Sequence, residues 1–405
     1  MGRITTTLFG VLLGSILEMA PSYAQNNVHE IFANKSVKAR LEHNAPNLRD
    51  HLVQRRLALT DWYALPASEL QPVNLKAVAT AKNRAGFREL RVREFSYIGD
   101  CAYSHGGQDA GVATPTTAMA DFASDIANSF LDQAALAGVA IDSLAIEIHN
   151  RPDTEPTGRI PYPRNFLYTI YVDSPESDDV IERIARLAEE RSPLVQFIKG
   201  SYVPPFEIDL TPSPRKRKIE GATLAGLREY IKGKRQAIQA AEAAYKKKKP
   251  EDRKFTTPPS GPVVRVFPNG VRQLSIHDKY LILHDNPAYL GGTNLGMTTR
   301  EGLLGVLATC ITHLAEGQAA KLNLDIDSLQ LEVRGTWDPR AGRKGYENVP
   351  DYPQNIRYIL HVKTPETLAT VKKWIAQTEA SCPMYNMFKD TQTFERKIVR
   401  ISRKR

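Results

Sequence analysis

Cysteine is scarce: three residues in a chain of 405 cannot form a disulfide framework, so the fold must rest on an ordinary apolar core. Long apolar runs are missing too. None reaches the roughly 20 residues that a membrane-spanning helix needs, which excludes an integral helical membrane protein. Acidic residues are outnumbered, 45 Asp+Glu against 54 Lys+Arg, a net +9 that on its face suggests a polyanionic partner. What is present is ordinary: 42% apolar and 24% charged residues exclude a wholly disordered chain. The length suits two or three domains at about 100–200 residues each.

Residues 1–24 read as an export signal. Arg3 precedes a short apolar core from Leu8 to Leu17, and Ser22-Tyr23-Ala24 presents small residues where a signal peptidase cuts. Glu18 near the end of that core conflicts with this reading. The alternative is an attached N-terminal segment on a cytoplasmic protein. Residues 25–82 read as a polar extension with one helix, Leu48 to Leu59.

The chain contains an internal repeat. Gly86-Phe87-Arg88-Glu89-Leu90 matches Gly270-Val271-Arg272-Gln273-Leu274. Ile141-Asp142-Ser143-Leu144 recurs as Ile326-Asp327-Ser328-Leu329, and Tyr162-Pro163-Arg164-Asn165 as Tyr352-Pro353-Gln354-Asn355. Ala102-Tyr103 with Ala288-Tyr289, and Ser174-Pro175-Glu176 with Thr364-Pro365-Glu366, complete five collinear blocks. They place two copies of one domain at 83–206 and 266–400. Each copy predicts alternating strands (Val271 to Leu283), then a Gly-rich turn and a long apolar helix (Thr299 to Leu322). A strand pair (Leu329 to Gly335, Ile356 to Val362) and an amphipathic helix (Pro365 to Ala380) follow. That order points to an α+β domain with an antiparallel sheet.

The tether between the copies, 207–265, carries the charge. Its stretch 211–262 holds Arg215-Lys216-Arg217-Lys218, an Ala-rich helix-compatible run and Lys246 to Lys249. With 14 basic and 5 acidic residues there, the remainder is balanced at 40 of each. The segment reads as a solvated linker with one charged helix, or as a patch for an anionic partner. Its aromatics, Tyr230, Tyr245 and Phe255, are too few to favour base stacking.

Copy two holds Cys310, inside the long helix, and Cys382, just after the last one and followed by Pro383. A helical cysteine is by default a small buried hydrophobe. The run Tyr289-Leu290-Gly291-Gly292-Thr293-Asn294-Leu295-Gly296, then Thr299-Arg300-Glu301-Gly302-Leu303-Leu304, Cys310, the strand after Asp327, Gly335-Thr336-Trp337-Asp338-Pro339-Arg340 and Cys382-Pro383 resembles the OsmC/Ohr superfamily of thiol peroxidases. Members are intertwined homodimers with long central helices packed inside antiparallel sheets. The resemblance therefore implies two OsmC-like domains forming a pseudo-dimer within one chain.

It also implies chemistry. Thiolate attacks a peroxide, a sulfenic acid forms, and a second thiol condenses with it to a disulfide. By resemblance Cys310 is the peroxidatic thiol and Cys382 the resolving one. The substrate is an organic hydroperoxide, an external dithiol is the reductant, and neither cofactor nor metal is required. The family's Glu matches Glu301, although Thr298-x-x-Glu301 is also a capping box. Nine helical residues would hold Glu301 about 13 Å from Cys310 on another face. Its repeat mate is Thr116. The family's Arg is matched by Arg272, with its repeat mate Arg88 as a second candidate. His313 lies one helical turn beyond Cys310. In copy one the cysteine positions are Asp125 and Ser192, so that copy reads as degenerate. Cys101 falls in the turn of copy one, opposite Pro287, and matches neither family cysteine. The competing reading is an OsmC-like scaffold without turnover that uses the basic tether to bind an anion.

Overall fold

A computed structural model describes residues 47–82, 87–101, 107–150, 162–215, 226–249, 261–277 and 279–401. The export-signal reading and most of the basic run 215–218 fall outside these residues.

The chain folds as α+β, with two mixed six-stranded sheets and eight α-helices among the described residues. Helix α1 (Leu48–Ala64) leads into β1 (Val73–Ala81), β2 (Arg88–Val92) and β3 (Phe95–Gly99). Then come α2 (Thr114–Ala137), β4 (Ser143–Asn150), β5 (Phe166–Asp173), α3 (Asp178–Arg191), α4 (Pro193–Lys199) and β6 (Phe206–Pro212). The second half runs α5 (Leu227–Lys247), β7 (Val263–Val266), β8 (Arg272–Ile276), β9 (Tyr280–His284), α6 (Thr299–Leu322), β10 (Ser328–Trp337), β11 (Gln354–Thr364), α7 (Leu368–Ser381), α8 (Pro383–Lys389) and β12 (Phe394–Arg400). The predicted long helix at 299–322 and the strand pair lie where the pattern put them. Helix α7 starts three residues later than expected, because the Thr367 side chain caps it by accepting from Thr370 N.

The strands do not stay with their own half. One sheet runs β3-β2-β1-β10-β11-β6 and the other β12-β5-β4-β7-β8-β9. Each half therefore gives its first three strands and its last strand to one sheet and its middle pair to the other. Two joins are parallel, β11 with β6 and β12 with β5, which corrects the expectation of purely antiparallel sheets. The other joins are antiparallel, with β1 on β10 and β4 on β7 at the seams.

Helices α2 and α6 lie between the sheets, α6 on β1, β2 and β10, α2 on β4, β7 and β8, and they pack on each other. Both are buried almost all round, with polar side chains such as Asp121, Ser124, Asp125 and Thr312 among the buried ones. Gly138 (φ 67°) ends α2 and Asn323 (φ 57°) ends α6, each in the left-handed conformation that suits these residue types.

The expected extension and tether are more integrated than their composition suggests. Strand β1 lies before the boundary at 83, and all but one residue of each of β6 and β7 falls within 207–265. Helix α1 packs on α2, and α5 packs on α6 in the same manner. Arg49 of α1 forms a bidentate pair with Asp142 (2.6 and 2.7 Å), and Arg228 of α5 does the same with Asp327 (3.1 and 2.8 Å). The charged helix of the tether is thus docked, with Arg228 and Lys234 buried. Its exposed end carries Lys246 to Lys249. None of the described helices is long and apolar enough to cross a membrane.

Candidate redox site

Cys310 sits in the middle of α6 with 2% of its surface exposed, and Cys382, fully buried, is the residue that caps α8. The short turn from α7 into α8 sets the cap: Pro383 occupies the first helical position, and the Cys382 sulfur accepts from Tyr385 N at 3.5 Å. Packing of α8 against α6 brings the two sulfurs to 3.2 Å, with Cys382 donating to Cys310. Both are free thiols, separated by more than a disulfide bond but within reach of one after a small approach. Burial pushes the Cys382 thiol well up, and the neighbouring Cys310 sulfur adds to this. The N–H groups of Tyr385 and Met384 act in the opposite sense.

The same positions in the first half hold a different pair in the same geometry. Ser192 caps α4, accepts from Val195 N at 3.4 Å, and donates to Asp125 of α2 at 2.5 Å. Asp125 also accepts from Thr299 Oγ1 (2.5 Å) and Leu194 N (2.9 Å). Burial raises its pKa, and these hydrogen bonds oppose the rise. The carboxylate that sequence places opposite Cys310 is thus buried with its partners supplied.

Neither expected helper reaches the sulfurs. Glu301 closes the capping box of α6, accepting from Thr298 N (2.8 Å), and pairs with Arg93 through Nε (2.6 Å) and Nη2 (3.1 Å). One straight helix keeps it away from Cys310, and the hairpin residue Arg93 occupies its carboxylate. Replacing Thr298 by Ala removes one side of this box, and chemical denaturation is expected to show a loss of about 1 kcal/mol. A loss of several kcal/mol would mean Glu301 does more than cap.

Arg272 is fully buried but faces α2. Nε donates to Ser124 (3.1 Å), Nη1 to Asn128 (2.8 Å) and Nη2 to Asn286 (3.2 Å). Burial, helped by the charge of Arg55, lowers its pKa to about 10. The reason is topological: β8 belongs to the sheet under α2, whereas Cys310 is on α6. The arginine that faces α6 is Arg88, whose Nη1 lies 3.1 Å from His313 Nδ1 and 3.5 Å from Glu316 Oε2. His313 is therefore turned to Arg88. Cys101 stands opposite Asn286, not Pro287, because Asp100 and Asp285 hold equivalent turns: the Oδ2 of each accepts two backbone N–H groups, from Gln108 and Ala110 or from Thr293 and Leu295.

Sequence reasoning missed two features. One is the Arg49–Asp142 and Arg228–Asp327 pairing. Its signal was legible, since Leu48-Arg49-Asp50 and Leu227-Arg228-Glu229 match. The other is a buried line of Asp121, His284 and Ser124, with 3.4 Å from Asp121 Oδ1 to His284 Nε2 and 3.1 Å from His284 Nδ1 to Ser124 Oγ. These lie on elements 160 residues apart, and no local pattern announces them. The line is closed to substrate: a Cβ at Gly302 would sit 3.0 Å from Asp121 Oδ2 and from His284. Burial, then the charge of Arg272, lowers the His284 pKa to about 3. Burial, then Asp125, holds that of Asp121 well above the usual range. No group of His, Cys, Asp and Glu among the described residues is arranged to hold a metal ion.

The family model for OsmC-like proteins matches residues 292–397, a stretch that begins just before α6 and contains both Cys310 and Cys382. Among solved structures, the crystal structure of an OsmC-like protein from Mycoplasma pneumoniae is similar at 15% identity and a TM-score of 0.27, over 32% of this chain and 87% of that one. No curated protein matches. Residues 292–397 thus form an OsmC-like segment within a longer α+β chain.

Proposed function

We propose that the chain is a thiol-dependent hydroperoxide reductase with one dithiol site. The observation that carries this reading is the 3.2 Å approach of the Cys310 and Cys382 sulfurs, inside the OsmC-like segment. The Cys310 thiolate attacks the outer oxygen of an organic hydroperoxide. The O–O bond breaks, the alkoxide leaves with a proton as the alcohol, and Cys310 becomes a sulfenic acid. Cys382 sulfur then displaces that oxygen as water and forms the disulfide. An external dithiol restores both thiols by exchange, so two electrons enter for each peroxide reduced.

We further read the two halves as a tandem duplication that builds an OsmC-like pseudo-dimer in one chain. Support comes from features recurring at nearly constant spacing. The hairpin residues Arg93 and His277, and the strand-entry residues Asn165 and Asn355, all have positive φ. The Gly99–Val112 bridge recurs as His284–Met297. The cap pairs Cys382–Cys310 and Ser192–Asp125 recur too. On this reading the repeated units begin at α1 and α5, and the first half lends structure without a dithiol. Export through residues 1–24 would place the dithiol in an oxidising compartment, where a dedicated reductant is required.

A second reading, a scaffold without turnover, is favoured by the placement of Arg272 and Glu301 away from the sulfurs. In it, the exposed lysines 246–249 at the end of α5 contact an anionic partner. One titration separates the two. Reduced protein given one equivalent of an organic hydroperoxide is expected to lose two thiols per chain, and peptide mapping to find Cys310 joined to Cys382. An unchanged thiol count with the hydroperoxide intact would overturn the reductase reading.

A further inference from the structure

Helices α2 and α6 have equal length, 24 residues, and each begins on a threonine, Thr114 or Thr299. Asp125 and Cys310 therefore occupy the same position along them, and each meets the cap of a short helix, Ser192 or Cys382. The Asp125 carboxylate marks two directions. Oδ2 accepts from Ser192 Oγ and Leu194 N, on the cap side. Oδ1 accepts from Thr299 Oγ1 at 2.5 Å, at the start of the opposite central helix. The short helices pack across in the same way, α4 on α2 and α6, and α8 on α6 and α2. On the two-half reading given above, Thr114 stands to Cys310 as Thr299 stands to Asp125.

Covalent geometry says what belongs between them. The atom bonded to Cβ is Cγ in aspartate and sulfur in cysteine. A carboxylate oxygen on Cγ thus matches an oxygen carried by sulfur, as in a sulfenic acid. Asp125, with one oxygen at the cap and the other at Thr299, has the outline of an oxidised Cys310. The reduced Cys310 side chain ends one bond earlier, at sulfur. The Thr299 hydroxyl is occupied by Asp125, whereas Thr114 is 6% exposed and no described residue bonds to its hydroxyl. The first turn of α2 gives the way in: Pro115 and Thr116 are half-buried, and the exposed His277 has Nε2 3.3 Å from Thr116 Oγ1. The matching turn of α6 is closed by Glu301 and Arg93.

We propose that Thr114 holds the oxygen that is transferred to Cys310. Its hydroxyl donates to the outer oxygen of the hydroperoxide while the Cys310 thiolate forms the S–O bond and the O–O bond breaks. The outer oxygen keeps its hydrogen and stays on sulfur as the sulfenic acid. The alkoxide leaves past the first turn of α2 and takes a proton from water to become the alcohol. The same hydrogen bond keeps the sulfenic oxygen away from Cys382, which attacks the sulfur from the cap side. The inference rests on the reductase reading, and it adds a catalytic residue from the half without the dithiol.

Single-turnover reduction of cumene hydroperoxide by the full-length reduced chain tests it. In Thr114→Val, which keeps the shape and removes the hydroxyl, the rate of hydroperoxide loss is expected to fall about tenfold, the scale of one hydrogen bond. Thr114→Ser is expected to restore it. Alkylation of Cys310 by iodoacetamide forms an S–C bond, releases iodide and transfers no oxygen. Followed by peptide mass spectrometry, it is expected to run equally fast in the natural and Thr114→Val chains. Equal hydroperoxide rates in those two chains overturn the inference and leave the reductase reading standing. So does a slowing that Thr114→Ser fails to restore, or one that alkylation shares in full. A natural chain that consumes no hydroperoxide overturns both. Should Thr114→Val fail to fold, Thr114→Ala takes its place with the same expectations.

Discussion

The Cys310→Ser protein is expected to consume an organic hydroperoxide no faster than buffer, with the dithiol reductant in excess. A serine hydroxyl is not ionised near neutral pH, and only the thiolate attacks the O–O bond. No second dithiol takes over, since the equivalent positions are Asp125 and Ser192. The fold is expected to survive, because the matching position of the other central helix, Asp125, already holds a buried polar group beside the Ser192 cap. Burying a hydroxyl in place of a thiol is worth about 1–3 kcal/mol. Cys382→Ser should behave differently. Its first equivalent of hydroperoxide is reduced and Cys310 gains one oxygen, but no disulfide follows and turnover stops. The pair of outcomes separates attack from resolution. Full activity in Cys310→Ser would remove Cys310 from the mechanism.

Asp121→Asn is expected to make the protein more stable, increasingly so as pH rises. The sign follows from proton counts. Asp121, with its raised native pKa, keeps a proton in the folded state that the unfolded chain releases above pH 3.8. Its contribution to stability is therefore full below 3.8 and is lost progressively as pH rises toward the native value. His284, at about 3 when folded and 6.5 when unfolded, works in the other direction. It loses stability as pH falls from 6.5 to 3. Where the two windows overlap, the folded and unfolded states each hold one proton and the two contributions cancel. Asparagine keeps the neutral shape against His284 and removes the first contribution only. The stability difference between variant and parent should grow by about 1.4 kcal/mol per pH unit above pH 4. His51, also lowered to about 3 by burial, is common to both proteins and cancels. Urea titrations at a series of pH values measure this difference. A difference that does not change with pH would mean that Asp121 is ionised in the native core.

Glu301 illustrates how a local rule can outperform a family expectation. Its capping box with Thr298 was written in four consecutive residues, and those contacts are what the structure holds. Arg272 illustrates the opposite. Its strand was readable, but its burial and the helix it faces depend on which sheet takes β8. The β7-β8-β9 run joins its sheet through β4, more than a hundred residues away, as β1 joins β10, and no periodicity of 2 or 3.6 encodes that choice. Arg88, on the sheet that lies under α6, was the repeat mate that topology favoured.

By itself the sequence determined the long helix at 299–322 with its Thr298–Glu301 cap, the recurrence of the Ile-Asp-Ser-Leu strands, and the correspondence of Cys310 with Asp125 and of Cys382 with Ser192. These follow from residue type and spacing along a few turns of backbone. Only the tertiary structure decided that each half divides its strands between two sheets, which arginine faces which central helix, and that the basic tether has a docked helix. Three cysteines and a surplus of lysine and arginine say little alone. The same Arg228 and Lys234 would be solvated on a free helix, and become buried because Asp327 and Glu316 supply the opposite charge. Burial of a charge is settled by its partner in space, and that partner is not a neighbour in the chain.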